Sequence, residues 1–310
     1  MTLTIATWNL ENLFLPGTDS GPPDQATYDK KLASLKTLIE EIAPDVLAVQ
    51  EVGDEQAFED LLGVLSGDWQ ARLSPDADDR GIRVGFLSRL PFEDLERIRA
   101  FPEGTDPVRL EDDGTTTIQM GRGALRVRVA GIDLITTHLK SKLLTFAGRF
   151  QPSDEDQRAR YAGYALNLRA QEAITLRHHA TALLKEGRTV VVLGDLNDEP
   201  LAATTQILLG PPGSEIGTGG FDRPDQGDQQ RLWNLAALMP AGRDYSRINQ
   251  GRRELIDHIL VSAPLVTPLD AIQIEAVTED PLPSITPDPN ERRNAPSSDH
   301  APVIATFDNL

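Results

Sequence analysis

The apolar positions of this chain fall into two rhythms. Between Tyr28 and Ala43, Leu32, Leu35, Leu38, Ile39 and Ile42 recur at helical spacing, so the pattern predicts a helix that Pro44 stops. Phe58, Leu61, Leu62 and Leu65 predict a second helix over Glu55–Ser66, with Gly67 at its end. A long helical pattern begins at Ser153, a candidate N-cap followed by Asp154, Glu155 and Asp156, and runs to Glu186. Elsewhere the apolar residues form short runs that read as strands. These open at Ile5 and Val46, then cover Trp69–Leu73, Ile82–Ser88, Thr116–Met120, Ala124–Ala130, Ile132–Thr137, Thr189–Leu193, Glu254–Val261 and Pro302–Phe307. Gly131 marks a tight turn, so Arg126 to His138 reads as an antiparallel hairpin. Hairpins mixed with helices point to mixed sheets, and helices on the outer faces of two packed sheets would fit.

Several runs end on a carboxylate or an amide. Ile5-Ala6-Thr7-Trp8 leads to Asn9 and Glu11, and Val46-Leu47-Ala48-Val49 leads to Gln50 and Glu51. Val190-Val191-Val192-Leu193-Gly194 leads to Asp195 and Asn197, while Leu255-Ile256 and Ser298 lead to Asp257 and to Asp299-His300. Collected in one place, these ends make an oxygen-rich pocket for a divalent cation with a histidine beside it. Magnesium takes about six oxygens and is typically held by one or two carboxylates plus substrate phosphate. Glu51 is the expected primary ligand, Asn9 a neutral oxygen, Glu11 a neighbour on the same side of an extended strand, and Asp299 a completing acid. Asp195 and Asn197 are placed to orient an attacking water and steady a leaving oxygen, with Gly194 permitting close backbone approach. His300 is the candidate general base and Asp257 its orienting carboxylate. His138 is a candidate donor to a phosphate oxygen, with Lys140 and Ser141 beside it. Any one of these reads equally well as a surface acid or a turn residue; the set carries the argument, and it points to phosphoester hydrolysis.

The whole chain narrows this further. Its 310 residues allow one large domain, and a site uniting Asn9 with His300 requires the chain to close on itself, so 1–310 is expected to be a single catalytic domain. There are no cysteines, which excludes thiolate catalysis, disulfides and cysteine-ligated zinc. No long apolar run and no charged segment followed by an apolar one is visible, which gives the expectation of a cytoplasmic protein without a transmembrane segment. The net charge of −18 argues against strong sequence-independent grip on duplex nucleic acid. A local cationic stretch is nevertheless present: from His138 to Arg169, Lys140, Lys142, Arg149, Arg158, Arg160 and Arg169 face Asp154, Glu155 and Asp156. Arg169 joins Lys140 and Ser141 as a candidate substrate contact, and Arg252, Arg253, Arg292 and Arg293 lie beside the late motifs.

These motifs, in this order, resemble the endonuclease/exonuclease/phosphatase superfamily. The resemblance runs from Trp8-Asn9-Leu10-Glu11-Asn12 through Gln50-Glu51, Thr137-His138-Leu139, Gly194-Asp195-Leu196-Asn197 and Ile256-Asp257 to Ser298-Asp299-His300. It implies a four-layered α/β-sandwich of two packed mixed β-sheets flanked by helices, and dependence on Mg²⁺ or Mn²⁺. It also implies that Asn9 and Glu51 hold the metal, with Glu11 at a variable acidic position. His138 would contact phosphate, Asp195 and Asn197 would surround nucleophile and leaving group, and Asp257 and His300 would form the acid/base dyad beside Asp299. One departure stands out. In deoxyribonuclease-I-like members the first histidine has a carboxylate partner on an earlier strand, whereas here that strand reads Gly81-Ile82-Arg83-Val84-Gly85-Phe86 and carries no acid. The leading expectation is a nuclease cleaving DNA or RNA. A phosphatase or phospholipase-type hydrolase of small phosphoesters is the rival, and a non-catalytic binding member the third reading.

Overall fold

A computed structural model describes residues 2–144, 146, 154–278, 282–286, 288, 291–292 and 294–308. The elements run β1 (Leu3–Leu13), α1 (Gln25–Ile42), β2 (Val46–Val52), α2 (Glu55–Val64), β3 (Gln70–Leu73), β4 (Arg83–Ser88), β5 (Asp94–Ala100), β6 (Val108–Arg109), β7 (Thr116–Thr117), β8 (Gln119–Val129) and β9 (Ile132–His138). After these come α3 (Glu155–Lys185), β10 (Thr189–Asp195), α4 (Ala203–Leu208), β11 (Leu232–Asn234), β12 (Arg247–Asn249), β13 (Arg252–Glu254), β14 (Asp257–Ser262), α5 (Ala263–Val266), β15 (Ile272–Ala276), β16 (Ser284–Ile285) and β17 (Val303–Phe307).

Two six-stranded sheets form the centre, in the orders β15-β17-β1-β2-β4-β3 and β11-β14-β10-β9-β8-β5. Each has one parallel pair in the middle, β1 with β2 and β9 with β10, and antiparallel neighbours outside it. Each parallel pair is joined through a helix, α1 in the first sheet and α3 in the second, because parallel strands need a crossover rather than a hairpin. The two halves thus share a topology that no sequence repeat announces. Leu3 pairs with Phe307, so the chain's two ends meet in one sheet.

Three apolar clusters hold the layers. Ile5, Val46, Val84, Phe86, Val127, Leu134, Val191, Leu193, Ile259 and Val303 pack between the sheets. Leu168, Leu176 and Ala180 of α3 cover the outer face of the second sheet, and Leu35, Ile39, Phe58 and Leu61 of α1 and α2 cover the first. This is the four-layered arrangement of two mixed sheets flanked by helices that the resemblance implied. Burying each such valine, leucine, isoleucine or phenylalanine contributes about 1.5–3 kcal/mol.

Local rules explain most boundaries. Helix α1 starts three residues before Tyr28 because Asp24 caps it, accepting the Thr27 N–H at 2.8 Å. It ends at left-handed Ala43, just ahead of Pro44. Helix α3 is capped by Asp154, which accepts from Asp156; Ser153 lies outside the described residues. The β8–β9 hairpin turns on Ala130 and Gly131, both at positive φ, the signature of a two-residue turn. The expected strand Glu254–Val261 is two strands: β13 belongs to a small sheet with β12 and β16, while β14 joins the second large sheet. The break at Leu255-Ile256 delivers Asp257 to the site. Edge strand β5 carries a weak apolar pattern, whereas β15, Ile272-Gln273-Ile274-Glu275-Ala276, alternates strictly but is only five residues long. Among the described residues, no helix is long and apolar enough to cross a membrane.

Candidate active site

The site lies where β1, β2, β9 and β10 run out at their carboxyl ends. Both parallel pairs finish at the same edge, which places Asn9, Glu51, His138 and Asp195 together, and β14 begins there with Asp257. His300 arrives just before β17, tied down from β1: Trp8 Nε1 donates to its carbonyl at 2.8 Å and Ser298 Oγ donates to Asn9 O at 2.7 Å. These two bonds connect residues almost the whole chain apart.

Strained backbone builds the mouth. Glu11, Asn12, Glu51 and Asn197 all have left-handed φ, between 49° and 60°. The β1–β2 register shifts between Asn9 and Leu13, and the β2–β4 register between Val49 and Val52, so bulges sit side by side at this edge. Simple alternation therefore does not bring Glu11 and Asn9 together. Instead Asn9 Oδ1 accepts the Glu11 N–H at 2.9 Å, and Glu51 accepts the Asn12 N–H at 3.0 Å. Such conformations cost about 1–3 kcal/mol each and persist where surroundings over-determine them, commonly at functional sites. Below the mouth, Gln50 is fully buried and donates to Thr7 and to Thr136 at 3.1 Å each, a polar link between the two sheets.

Gly194 has φ 141°, and a Cβ there would lie 2.0 Å from the Thr137 carbonyl oxygen. The close strand approach expected of this glycine is therefore real. Gly194→Ala is expected to lower stability in urea unfolding by about 2–5 kcal/mol, from overpacking plus backbone strain. A loss below about 1 kcal/mol would show that β9 and β10 can part without penalty.

Asp195 is the centre of the hydrogen-bond network. Its Oδ1 accepts the Asn197 N–H at 2.8 Å. Its Oδ2 accepts from Asn9 Nδ2 at 3.0 Å, lies 3.3 Å from His138 Nε2, and lies 4.0 Å from His300 Nε2. His300 Nδ1 pairs with Asp257 Oδ2 at 2.7 Å, which leaves Nε2 as the nitrogen facing Asp195. Asp257 is fully buried, and Ser246 Oγ accepts its N–H at 3.2 Å.

The two histidines are driven apart. Burial disfavours charge on His300, but the Asp257 and Asp299 carboxylates overcome it and raise its pKa to about 10. Burial and the nearby charges of Arg122, His300, Arg80 and Lys140 hold His138 well below the ordinary histidine value. His138 is therefore held as a neutral ring, with its Nε2 3.3 Å from Asp195 Oδ2. Its Nδ1 is buried with no hydrogen-bond partner, as expected from a β4 strand without an acid. Burial, then Asp257, lifts Asp195 to about 6. Environments that separate titratable groups in this way mark acid/base chemistry.

On one flank lies an acidic cluster. Asp299 is half-buried, and its charge is felt by Glu11, Lys31 and His300. Glu11, expected among the metal ligands, is occupied otherwise. Arg292 donates to both of its oxygens at 2.8 Å, and the Asp299 N–H donates to Oε2 at 2.8 Å. Buried Lys31 donates to the Glu11 carbonyl at 2.6 Å. Glu11 thus fastens the Asp299-His300 segment to β1. Asn9 Oδ1 keeps a second lone pair and the Glu51 carboxylate has capacity beyond its single backbone bond, so Asn9, Glu51 and Asp299 offer an oxygen-only donor set suited to a hard divalent cation. Asp195, Asp257 and His300 also converge closely enough to hold an ion, with ligand atoms within 4.8 Å of one another.

On the other flank are cations that sequence reading missed. Arg80 donates to Asn12 Oδ1 and Arg122 Nε donates to Asp78 Oδ2 at 2.9 Å. Neither lies in a recognisable motif; only the fold carries the 78–82 loop to His138. Lys140 stands near them, its pKa lowered to about 8 by burial and by Arg122. Its Nζ donates to the Leu143 carbonyl at 2.9 Å and lies 3.5 Å from Ser141 Oγ. Arg169 does not reach a substrate-facing surface. It is buried in α3, donating to Asp198 at 3.0 Å and to the Lys140 carbonyl at 2.9 Å, and so supports the loop after Asn197. Asn197 donates its side-chain N–H to the Leu139 carbonyl at 3.0 Å. Of the later arginines, Arg253 lies over the Tyr245 ring at 4.4 Å. Arg149 and Arg293 lie outside the described residues.

Fold and network together define a phosphoester hydrolase of the two-sheet kind. The chain belongs to the Endonuclease/Exonuclease/phosphatase family, which matches residues 6–300. Among solved structures it is similar in fold to the human Nocturnin catalytic domain with a bound sulfate anion (15% identity, 99% of this chain and 94% of that chain, TM-score 0.58). It is likewise similar to the 3′-5′ exonuclease NExo from Neisseria meningitidis (18%, 99% and 100%, 0.56) and to an AP endonuclease from Archaeoglobus fulgidus (17%, 99% and 100%, 0.53). No curated protein matches the chain by sequence.

Proposed function

We propose that this chain, as one catalytic domain, is a divalent-metal-dependent phosphodiesterase acting on nucleic acid. The observation that carries the reading is the Asp257–His300–Asp195 array, with oxygen donors on one flank and Arg80, Arg122 and Lys140 on the other. Asn9, Glu51 and Asp299 would hold Mg²⁺ or Mn²⁺, which when bound supplies charge stabilisation at the phosphoryl oxygens. A phosphodiester lying between the flanks places its anionic oxygens toward cations on both sides. Water attacks phosphorus as the ester P–O bond opens; His300 Nε2 takes the water proton and Asp257 steadies the resulting imidazolium. Asp195 and Asn197 position the nucleophile, and the His138 Nε2–H supports developing charge. Lys140 and Ser141 are proposed contacts to the flanking backbone. Two of the three structural neighbours, the exonuclease and the AP endonuclease, are nucleases by name.

The test is hydrolysis of plasmid DNA, single-stranded DNA and RNA, beside bis-p-nitrophenyl phosphate and a panel of phosphomonoesters, with Mg²⁺ and with Mn²⁺. Polynucleotide cleavage is expected, weakening with salt at a log–log slope of about −0.7 to −0.9 per phosphate contacted. Turnover confined to small esters, or a flat salt response, would replace the nuclease with a small-phosphoester hydrolase, a reading the net charge of −18 favours.

Glu51→Gln tests the ligand assignment. The divalent cation needed for half-maximal activity is expected to rise by about 10–100-fold, by comparison with losses seen even for outer-shell partners. Thermal stability should change little, because Glu51 is only half-buried. A fall in Tm with an unchanged metal requirement would make Glu51 a structural residue.

A further inference from the structure

We infer that the edge of the second sheet carries a separate binding site for an organic cation with an apolar body. A cavity of about 430 Å³ opens beside the loop that follows Asn197. That size lies within the usual range of small-molecule sites, roughly 300–1,000 Å³. Its wall is apolar, formed chiefly by Leu201, Leu209, Leu232, Trp233, Ala237 and Leu255. A cleft with an apolar wall and a few polar groups at its opening is the usual form of a small-molecule site. Leu201 at the lip is 85% exposed, a large apolar side chain with little of its surface covered.

The charge around the cavity selects the guest. Glu199, Glu215 and Asp244 line it, and among its lining residues there is no lysine or arginine. Arg231 passes behind Gly210, but its guanidinium is paired with Asp225 and Asp228. An ammonium group at the rim would meet carboxylates, and its alkyl or aryl part would meet the leucines. An anionic ligand of the same shape would meet three like charges. This polarity is opposite to that of the Arg80–Arg122–Lys140 flank, so the two places do not bind the same part of one polyanion.

The cavity is also wired to the catalytic loop. Asn234, in its wall, contacts His258 Nδ1 at 3.1 Å, and His258 Nε2 contacts the Asp198 carbonyl at 2.9 Å. Asp198 in turn holds Arg169 and Lys142, the latter at 3.1 Å. A guest that shifts Asn234 therefore acts on the turn that carries Asn197.

The experiment is calorimetric titration of the full chain with three probes of one length: hexyltrimethylammonium, 1-hexanol and hexanesulfonate. The cation should bind at least about tenfold more tightly than either other probe, a difference of about 1.4 kcal/mol. Ala237→Trp fills the cavity from an exposed wall position and should abolish that binding. Unchanged thermal unfolding and unchanged hydrolysis of bis-p-nitrophenyl phosphate would show Ala237→Trp to be intact. Glu199→Gln with Asp244→Asn should instead reduce the preference for the cation while retaining hexanol. Equal binding of the three probes, no measurable binding of the cation, or wild-type binding by Ala237→Trp would each overturn the assignment. None of these outcomes depends on which phosphoester the active site cleaves.

Discussion

His300→Ala is expected to lower kcat by about 10²–10⁴-fold, the usual contribution of a positioned general base. The loss should fall on kcat rather than on KM, because the ring is placed for proton transfer and the substrate's charge is met by other residues. The pH profile is the sharper measurement. A base works in its neutral form, and the Asp257 and Asp299 charges, against the opposing effect of burial, raise the His300 pKa to about 10. Activity should therefore climb with pH, with an acidic limb displaced above the ordinary histidine value of about 6.5. Asp257→Asn removes the main charge behind that displacement and should move the limb downward. A limb that stays in place in His300→Ala would assign the base to another group. Stability should run the other way. A group whose folded pKa is raised contributes stability that is complete below its unfolded value, about 6.5, and is lost as pH rises through its folded value. Wild type should thus lose stability relative to His300→Ala between about pH 6.5 and 10 while its activity rises.

Asp195→Asn should abolish most activity and yet leave a protein at least as stable as wild type. The carboxylate accepts from Asn9 on one oxygen and from the Asn197 N–H on the other, 3.3 Å from His138 Nε2, and a carboxamide offers one acceptor oxygen in place of two. Loss of preorganised electrostatics of this kind lowers kcat by about 10²–10³-fold. The stability argument follows from the same burial. Desolvation, then the neighbouring Asp257, raises Asp195 to about 6, so at pH 7 it stays mostly ionised but that ionised form is less favourable in the folded than in the unfolded state. A neutral isostere removes that penalty, and Tm at pH 7 is expected to hold or rise, a trade of activity against stability. A sharp fall in Tm would show instead that Asp195 is held mainly as a structural acceptor.

The Glu11–Arg292 pair shows where local reasoning stopped. Glu11 looks like a third ligand because it follows Asn9 by two positions, which in a regular strand means the same face. The bulge between Asn9 and Leu13 breaks that regularity, and Arg292 closes on the carboxylate from 281 residues away. Arg169 failed as a substrate contact for a related reason. A helix pattern gives the face of a residue but not what lies against it, and here Asp198 does. Conversely, the missing acid in Gly81–Phe86 was legible, and the unpartnered His138 Nδ1 is its structural consequence.

What the sequence by itself determined are the features set by near neighbours. These are the helices with apolar stripes, the buried strands, the β8–β9 turn, and the choice of oxygen and imidazole chemistry at strand ends. The four-layer arrangement came from the resemblance the motifs carry; the apolar patterns alone pointed to mixed sheets with helices outside them. Only the tertiary structure decided which groups share a field: His300 raised and His138 lowered by different neighbours, Glu11 paired with Arg292, Arg80 and Arg122 brought to the mouth, and an apolar cavity lined by acids at the edge of the second sheet. Those outcomes depend on through-space distances of a few ångströms between residues dozens to hundreds of positions apart. Coulomb energy and desolvation are set by those distances and by burial, and neither is a property of any segment read alone.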